Sequence, residues 1–403
     1  MTTPMLESVV NQELCTRCGC CAAVCPQNCI SIDTHAVRGQ SCITCGLCTK
    51  VCSGTGTDLR KTAENLFKGL YNEYVGQYIA TYTGYSTDEA IREKATSGGV
   101  VTSLLVCLLE EGVIDGAVVV SFDEEPWKTT YKIATTKEEI IESAQTKYQV
   151  TPLDVSLKDC NLRKIAVVGL PCVIQGLRKI QSHSAIGEKI AVLIGLFCWV
   201  NMEREATEFL LNRLNVTTEE VQSIEYRSGD YLGGFKVHLK DGSVKFLEKE
   251  CYNVLPLLFA PERCVYCPDF TNELADISVG DAKSIQSEKG HTFVVTRSER
   301  GEELLKKCVD KKYIRTDTCD IEEIIQSESS SLLFKKGAYR RIQKKKKGIE
   351  FYGEEYRMPL KNQLFELVFM IVHKNRKFFK PLFRIMPLSI FKIVSQWVTK
   401  ERS

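Results

Sequence analysis

Apolar positions from Gly76 onwards fall into two alternating patterns. Short β-branched runs, YIATYTGY, GAVVVSF, KIAVVGLP and IAVLIGLFCWV, alternate with helical patterns, VVTSLLVCLLEEG, GLRKIQ and REATEFLLNRLN. Strand and helix alternating in this way predict an α/β layer with a partly parallel sheet. Between Ile224 and Glu248 the pattern changes. FKVHLK and SVKFLEK flank Asp241-Gly242, a strong hairpin signal, so an antiparallel insertion is expected there. DISVGDA and HTFVVTRS read as further strands, and ERGEELLKKCV reads as a helix.

The two ends of the chain follow other patterns. Residues 1–60 are expected to form a small domain whose metal-built part ends at Cys52. So short a piece cannot stabilise itself by burial alone, and a bound inorganic core has to contribute. Residues 53–75 read as a polar linker running into a short helix. At the other end, residues 340–403 read as a basic tail. A four-lysine run, Lys344 to Lys347, precedes LFELVFMIVH and LSIFKIVSQWV, which KNRKFFKPLFR separates. Neither apolar stretch reaches the roughly 20 residues of a spanning helix. Basic residues interleaved with Phe, Leu, Ile and Trp suggest helices lying in a membrane interface. The alternative is a helical pair docked on the protein or on a partner subunit.

Length and charge sharpen this division. A chain of 403 residues with 44% hydrophobic and 26% charged residues buries ordinary cores in two or three domains. With 53 basic and 51 acidic residues it is not a generally basic nucleic-acid binder. From Lys335 to Ser403, however, 18 Lys and Arg face 5 Asp and Glu, a net of +13, which leaves −11 for the preceding residues. The opening MTTPMLESVV has no apolar signal-peptide core, so a cytoplasmic chain is expected, with the tail allowing a peripheral place on the inner face of the cell membrane.

Nineteen cysteines in such a chain point to metal ligands or catalytic groups rather than disulfides. Ten of them lie between Cys15 and Cys52. Cys15-x2-Cys18-x2-Cys21-x3-Cys25-Pro26 is followed by Cys42-x2-Cys45-x2-Cys48-x3-Cys52. This is the bacterial-ferredoxin spacing, present twice, in which the fourth cysteine of each run ligates the other cluster. One [4Fe–4S] cluster is therefore assigned to Cys15, Cys18, Cys21 and Cys52, and the other to Cys42, Cys45, Cys48 and Cys25. Zinc sites use separated pairs, not triplets. Gly19 and Gly46 each follow a ligand and let backbone N–H groups approach the sulfurs. Cys20 and Cys29 are left over, and Cys29 reads as a packing thiol.

In the body, Cys172 follows a strand in VVGLPC, Cys198 ends IGLFC, and Cys264 and Cys267 form CVYC. From spacing alone these four could converge on a third cluster or be inert core thiols. Cys107, Cys160, Cys251, Cys308 and Cys319 lack motif context and read as packing or surface residues. Linking one-electron clusters to a two-electron donor requires a converter, usually flavin. No complete G-x-G-x-x-G, Walker A or H-E-x-x-H motif is present. Ser97-Gly98-Gly99 precedes a helix, where Ser97 can serve as N-cap and the glycines can admit an anion. The five histidines are scattered and read as structural or exposed, and no residue is assigned as catalytic.

Ser97-Gly98-Gly99 opening a helix, Lys147-Tyr148, GLPC at 169–172, GLFC at 195–198, and Cys264-x2-Cys267-x-Asp269-Phe270 followed by ELADISVGD occur in order. This set resembles the beta-subunit family of coenzyme F420-reducing hydrogenase and reduced-F420 dehydrogenases, in which an N-terminal ferredoxin module is a familiar fusion. The resemblance covers residues 76–335. It implies an α+β chain: a ferredoxin domain, an α/β FAD-binding domain with an antiparallel insertion, and the basic helical tail. It also implies a third [4Fe–4S] cluster on Cys172, Cys198, Cys264 and Cys267, and an FAD site lined by Ser97, Gly98, Gly99, Lys147, Tyr148 and, more weakly, Asp281. The activity implied is hydride exchange between reduced coenzyme F420 and FAD, with electrons passing through the clusters to a one-electron acceptor, or the reverse. Partner subunits are compatible with this.

The basic tail is not part of the family pattern, and members of the family are also found where F420 is not made. Two alternatives therefore stand beside the first. One is a reductase on the same scaffold that takes electrons from ferredoxin and acts on an organic substrate, for example lipid-linked or from a polysaccharide pathway. The tail would then place it beside that substrate or a membrane-bound acceptor. The other is a non-catalytic electron-transfer subunit that has lost flavin.

Overall fold

The structure is a computed structural model that describes residues 6–345 and 358–402, apart from 154, 156, 158, 159, 230–232 and 286. Eight strands form the central sheet: β1 (Ala80–Ser86), β2 (Gly116–Phe122), β3 (Thr129–Ala134), β4 (Ile165–Gly169), β5 (Ile190–Leu196), β6 (Ile277–Asp281), β7 (Thr292–Thr296) and β8 (Ile314–Thr318). Their order across the sheet is β8-β1-β7-β6-β5-β4-β2-β3. The four central strands β2, β4, β5 and β6 are mutually parallel, and the flanking strands are antiparallel. The α/β reading with a partly parallel sheet therefore holds.

Side chains alternate between the two faces of the pleat. Ala117, Val119, Ala166, Val192 and Ile194 pack beneath α2 (Val100–Glu110) and α4 (Glu299–Asp310). Val118, Ile165, Val167 and Leu193 pack beneath α3 (Pro171–His183). Strands covered on both sides need apolar residues at nearly every position, which is what the β2, β4 and β5 sequences supply. The antiparallel insertion is a separate three-stranded sheet of residues 221–228, 234–239 and 244–248. Gly242 closes its second hairpin at φ +86°, a conformation that asks for glycine.

Residues 53–75 contain the expected short helix but depart from the linker expectation beyond it. Asp58 caps α1 (Leu59–Leu66) by accepting from the Lys61 N–H at 3.0 Å, and Leu70–Asn72 pairs with Gly76–Tyr78. Ordered structure thus begins before Gly76. The cysteine-rich module consists of three short helices, Leu6–Asn11, Cys20–Ala23 and Leu47–Lys50, and a strand pair, Ile30–Ile32 with Ala36–Arg38. Its apolar residues Ala23, Val24 and Val51 join the core over α3, and so does α1 through Leu59 and Ala63.

The tail forms α5 (Leu360–Lys374), α6 (Arg376–Ile385) and α7 (Leu388–Arg402). One face of it is docked. Phe365, Phe369, Phe383 and Phe391 are buried in a core they share with Trp199, Phe209, Phe259 and Phe334. Each such side chain contributes about 1.5–3 kcal/mol by burial, so the tail is an integral part of the fold. Part of the Lys344–Lys347 run lies outside the described residues.

One guanidinium ties the sheet to the loops at its end. Arg297, fully buried after β7, donates from Nε to Ser278 Oγ at 2.7 Å, from Nη1 to the Val75 and Gln77 carbonyls at 2.9 and 2.7 Å, and from Nη2 to the Thr271 carbonyl at 3.0 Å. Arg297→Met leaves those buried carbonyls without donors. It is expected to cost about 3–5 kcal/mol, read as a lowered denaturation midpoint of anaerobically prepared protein.

Candidate functional site

Parallel strands end together, and the segments that leave their carboxyl ends line a crevice. Here those segments are Gly169-Leu170-Pro171-Cys172 after β4, Phe197-Cys198 after β5 and Gly280-Asp281 within β6. All of them face one cavity of about 790 Å³. Cys264 and Cys267 approach the same cavity from the loop before β6, and Cys18 approaches from the cysteine-rich module. Ser97, Gly99, Lys147 and Tyr148 line it as well. A single space thus brings together residues that lie more than a hundred positions apart in sequence.

The cysteines gather in three sets. Burial, then Cys18, Cys52 and Cys15, push the Cys21 thiol well up, so these four are close neighbours. Cys18 itself is pulled down to about 6 by the adjacent Cys20 thiol and by the Thr16 and Ser53 hydroxyls, despite its burial. In the second set, burial pushes Cys48 up, with Cys45, Cys42 and Cys25 adding to the push. In the third, burial pushes Cys172 up, together with Cys18, Cys264, Cys198 and Cys267. Backbone N–H groups reach the sulfurs: Gly54 to Cys52 at 3.3 Å and Thr44 to Cys42 at 3.4 Å. Thiols crowded this way repel one another once ionised, so a polycationic core suits them. Among the described residues no group of three or more such side chains is placed to hold a single metal ion. A four-iron cube is larger than an ion and asks for a more open set. The donor chemistry fits [4Fe–4S] clusters.

Cys29 is more than a packing thiol, because its Sγ lies 3.4 Å from the Cys25 Sγ at the edge of the second set. Cys20 does pack. It is fully buried and its thiol donates to the Val173 carbonyl at 3.5 Å.

Sequence reasoning passed over Lys335 and Asp269. Lys335 is buried and lines the cavity. Burial alone would push its ammonium down, yet Cys267, Cys198, Cys264 and Asp269 hold it above its ordinary value. Asp269 accepts from Gln175 Nε2 of α3 at 3.2 Å and from the Glu273 N–H at 3.1 Å, which ties the Cys264–Cys267 loop to the helix that carries Cys172. Burial and Glu273 push it up to about 6. Asp269 stands inside the Cys-x-Asp-Phe motif and could have been read as an anchor. Lys335 lies 68 positions beyond Cys267, and no spacing rule reaches it.

The glycine-rich turn differs from expectation. The N-cap of α2 is Gly99, in the left-handed region at φ +75°, and Ser97 is not the cap. The Ser97 hydroxyl instead donates to the His291 carbonyl at 2.5 Å. Gly98 turns away from the cavity into the sheet, and its N–H donates to Thr292 Oγ1 at 2.9 Å. A Cβ there would meet the Gly84 carbonyl oxygen at 2.5 Å.

Lys147 donates to the Ser143, Ala144 and Gln145 carbonyls at 2.8, 2.8 and 3.2 Å, so its ammonium braces the chain leaving the helix Lys137–Glu142. Burial, Lys94 and Lys132 push it down to about 7, against those three carbonyls, which favour the charged form. Tyr148 packs edge-on against Tyr226, with Lys249 over its face. Asp281 is paired with Arg227 at 2.5 Å.

Close backbone approach seats the module. Gly19, at φ +85°, passes so near Leu153 that a Cβ would lie 2.1 Å from its nitrogen, and the Leu153 N–H donates to the Cys18 carbonyl at 2.9 Å. At Gly176 of α3 a Cβ would lie 2.5 Å from Cys20 Sγ. Lys179 Nζ donates to the Cys52 and Gly56 carbonyls at 2.7 and 2.8 Å.

Models of the coenzyme F420 hydrogenase/dehydrogenase beta subunit match this chain, the N-terminal one over residues 81–158 and the C-terminal one over 162–322. A 4Fe-4S binding domain matches residues 8–31, which hold Cys15, Cys18, Cys21 and Cys25. The chain is 31% identical over 259 residues to coenzyme F420 hydrogenase subunit beta of Methanothermobacter thermautotrophicus, covering 62% of this chain and 87% of that one. It is 30% identical over 354 residues to a coenzyme F420-dependent sulfite reductase of Methanocaldococcus jannaschii, covering 83% of this chain and 52% of that protein. A chain of the solved F420-reducing [NiFe] hydrogenase complex from Methanosarcina barkeri superposes with a TM-score of 0.57 at 26% identity, covering 70% of this chain and 99% of that one.

Overpacking at Gly176 tests the seating. Gly176→Val is expected to weaken docking of the cysteine-rich module by about 1–3 kcal/mol. Anaerobic limited proteolysis should then cut faster within residues 53–75, and combining the change with Cys20→Ala should restore part of the resistance.

Proposed function

Because the chain belongs to the coenzyme F420 hydrogenase/dehydrogenase beta-subunit family, we propose that it is an iron–sulfur flavoenzyme. In this reading it exchanges hydride with coenzyme F420 and passes single electrons to an acceptor, which can be a partner subunit. The observation that supports this most is the shared cavity, which places Ser97, Gly99, Tyr148 and Asp281 on the same walls as Cys172, Cys198, Cys264 and Cys267. Cys15, Cys18, Cys21 and Cys52, then Cys25, Cys42, Cys45 and Cys48, then the four body cysteines would hold three [4Fe–4S] clusters, and the cavity would hold FAD. When bound, flavin converts a two-electron hydride into single electrons, and the clusters store and relay them singly.

The protein's own groups prepare this space. Lys147 braces the 143–145 wall, with all three ammonium donors engaged on backbone carbonyls, so it positions the site and does not reach for a ligand. Phe197, Trp199 and Phe270 line the cavity and keep water from the thiols. Lys335 supplies a buried positive charge beside the body quartet, where it offsets the negative charge of four thiolates and favours the reduced form. Cys18 and Cys172 border the same cavity, so the first and third sets are neighbours. Cys45 is the exposed member of the second set, which puts that set at the outlet side.

Anaerobic protein is expected to carry about 12 iron atoms and one flavin, and to oxidise added reduced F420 while a viologen dye is reduced. Reduced F420 that stays unoxidised with every acceptor, in protein with full iron and flavin, would sink the F420 reading and leave the ferredoxin-linked one. Cys198→Ser is expected to lose about four iron atoms. Flavin should be retained, and reduced F420 should be oxidised only to the extent of about one equivalent per flavin, because the flavin is then the sole acceptor, while dye reduction drops. Lys335→Met should keep its iron and shift the midpoint potential of the body cluster to a more negative value in a spectroelectrochemical titration.

A further inference from the structure

Eleven of the eighteen exposed large hydrophobic side chains among the described residues lie between positions 360 and 397. They are arranged in stripes. On α5 the exposed residues are Leu360, Leu364, Leu367 and Ile371, which recur at i, i+4, i+7 and i+11 and so share one face. On α6 Phe378, Leu382 and Ile385 repeat the pattern, and on α7 Ile390, Ile393 and Trp397 do so again. Leu360, Phe378 and Ile385 are 84%, 72% and 80% exposed. These helices also have the buried aromatic stripe described above, which lies opposite on α5 at Phe365 and Phe369. The tail therefore has two apolar faces, an inner one of buried aromatic residues and an outer one of aliphatic residues with Phe378 and Trp397.

Charge defines what the outer face fits. Residues 359–398 hold seven Lys and Arg and a single acidic residue, Glu366. Glu366 is buried and paired with Arg340 at 2.6 Å and Arg341 at 3.4 Å, so the helices' exposed surface there bears only positive charge. Lys361, Lys374, Lys377 and Arg384 are exposed on these same helices. Arg376, Lys380 and Lys392 are paired with Glu262, Glu205 and Glu248 of the body, while Lys361, Lys374, Lys377 and Arg384 border the apolar stripes, and that border complements a surface that is apolar within and anionic at its edge. A protein interface core is by contrast depleted in lysine. No described helix is long and apolar enough to cross a membrane, and amphipathic helices of this kind suit the plane of an interface.

We infer that residues 359–398 form an interfacial platform that seats the protein on an anionic lipid bilayer, with the α5–α7 outer stripes in the headgroup boundary. This does not depend on which electron donor reacts in the cavity, and its test reads no activity. Full-length, anaerobically prepared protein is mixed at low salt with vesicles of equal parts phosphatidylcholine and phosphatidylglycerol, then sedimented. The expected result is binding at least about tenfold stronger than to phosphatidylcholine alone and lost at high salt. The double variant Leu364→Asp/Ile385→Asp should remain in the supernatant with its iron content and visible spectrum unchanged. Lys374→Gln/Lys377→Gln should bind more weakly while keeping the same spectrum. Wild-type protein that stays in the supernatant at low salt overturns the inference, whether it runs as a monomer or as a dimer with the face covered by a second copy. Equal binding to both kinds of vesicle overturns it too.

Discussion

Two backbones that pass within side-chain distance of each other decide how this molecule is organised. Gly176 on α3 leaves room for the Cys20 thiol, and Gly19 leaves room for the Leu153 peptide. A methyl group at either place would occupy space already filled, and close-packed interiors do not stretch to admit one. The module that holds ten cysteines is therefore pressed onto α3, which carries Cys172 in its first turn. Cys18 and Cys172 become neighbours because of this contact, although no direct bond between them requires it. Lys179 reinforces the contact by reaching from α3 to the Cys52 and Gly56 carbonyls.

Buried charge follows the same economy of space. Lys335 and Lys336 are consecutive and both buried, yet they divide their work. Lys336 pairs with Glu273 at 2.9 Å, while Lys335 lies among Cys267, Cys198, Cys264 and Asp269. Arg297 directs its donors to the Val75, Gln77 and Thr271 carbonyls and to the Ser278 hydroxyl. Buried ions persist only where such partners are in reach. The loops around the cavity are thus held by polar groups that cannot move without exposing an unpaired partner.

The tail shows how one stretch of sequence serves two environments. Basic residues among Phe, Leu and Ile are compatible both with docking on the protein and with a lipid interface, and here the two are opposite sides of the same helices. Phe365, Phe369, Phe383 and Phe391 fill the inner face, where flat rings pack into an irregular core, and mostly branched aliphatic residues, with Phe378 and Trp397, occupy the outer face.

The cysteine spacing, the strand–helix alternation and the Asp241-Gly242 hairpin were legible in the amino-acid order because each is a local matter, set by a few bonds between neighbours. Motifs in order were enough to indicate the family. What the order could not show is what distant segments do to one another. Ser97 looked like a helix cap, but the cap fell to Gly99 because the His291 carbonyl claimed the Ser97 hydroxyl. Gly98 looked open to an anion, but β1 and β7 fill the space beside it. Lys335 carried no motif, and Cys20 looked merely left over. Such roles come from long-range packing, where a residue's neighbours are chosen by the shape of the whole core and not by its place in the chain.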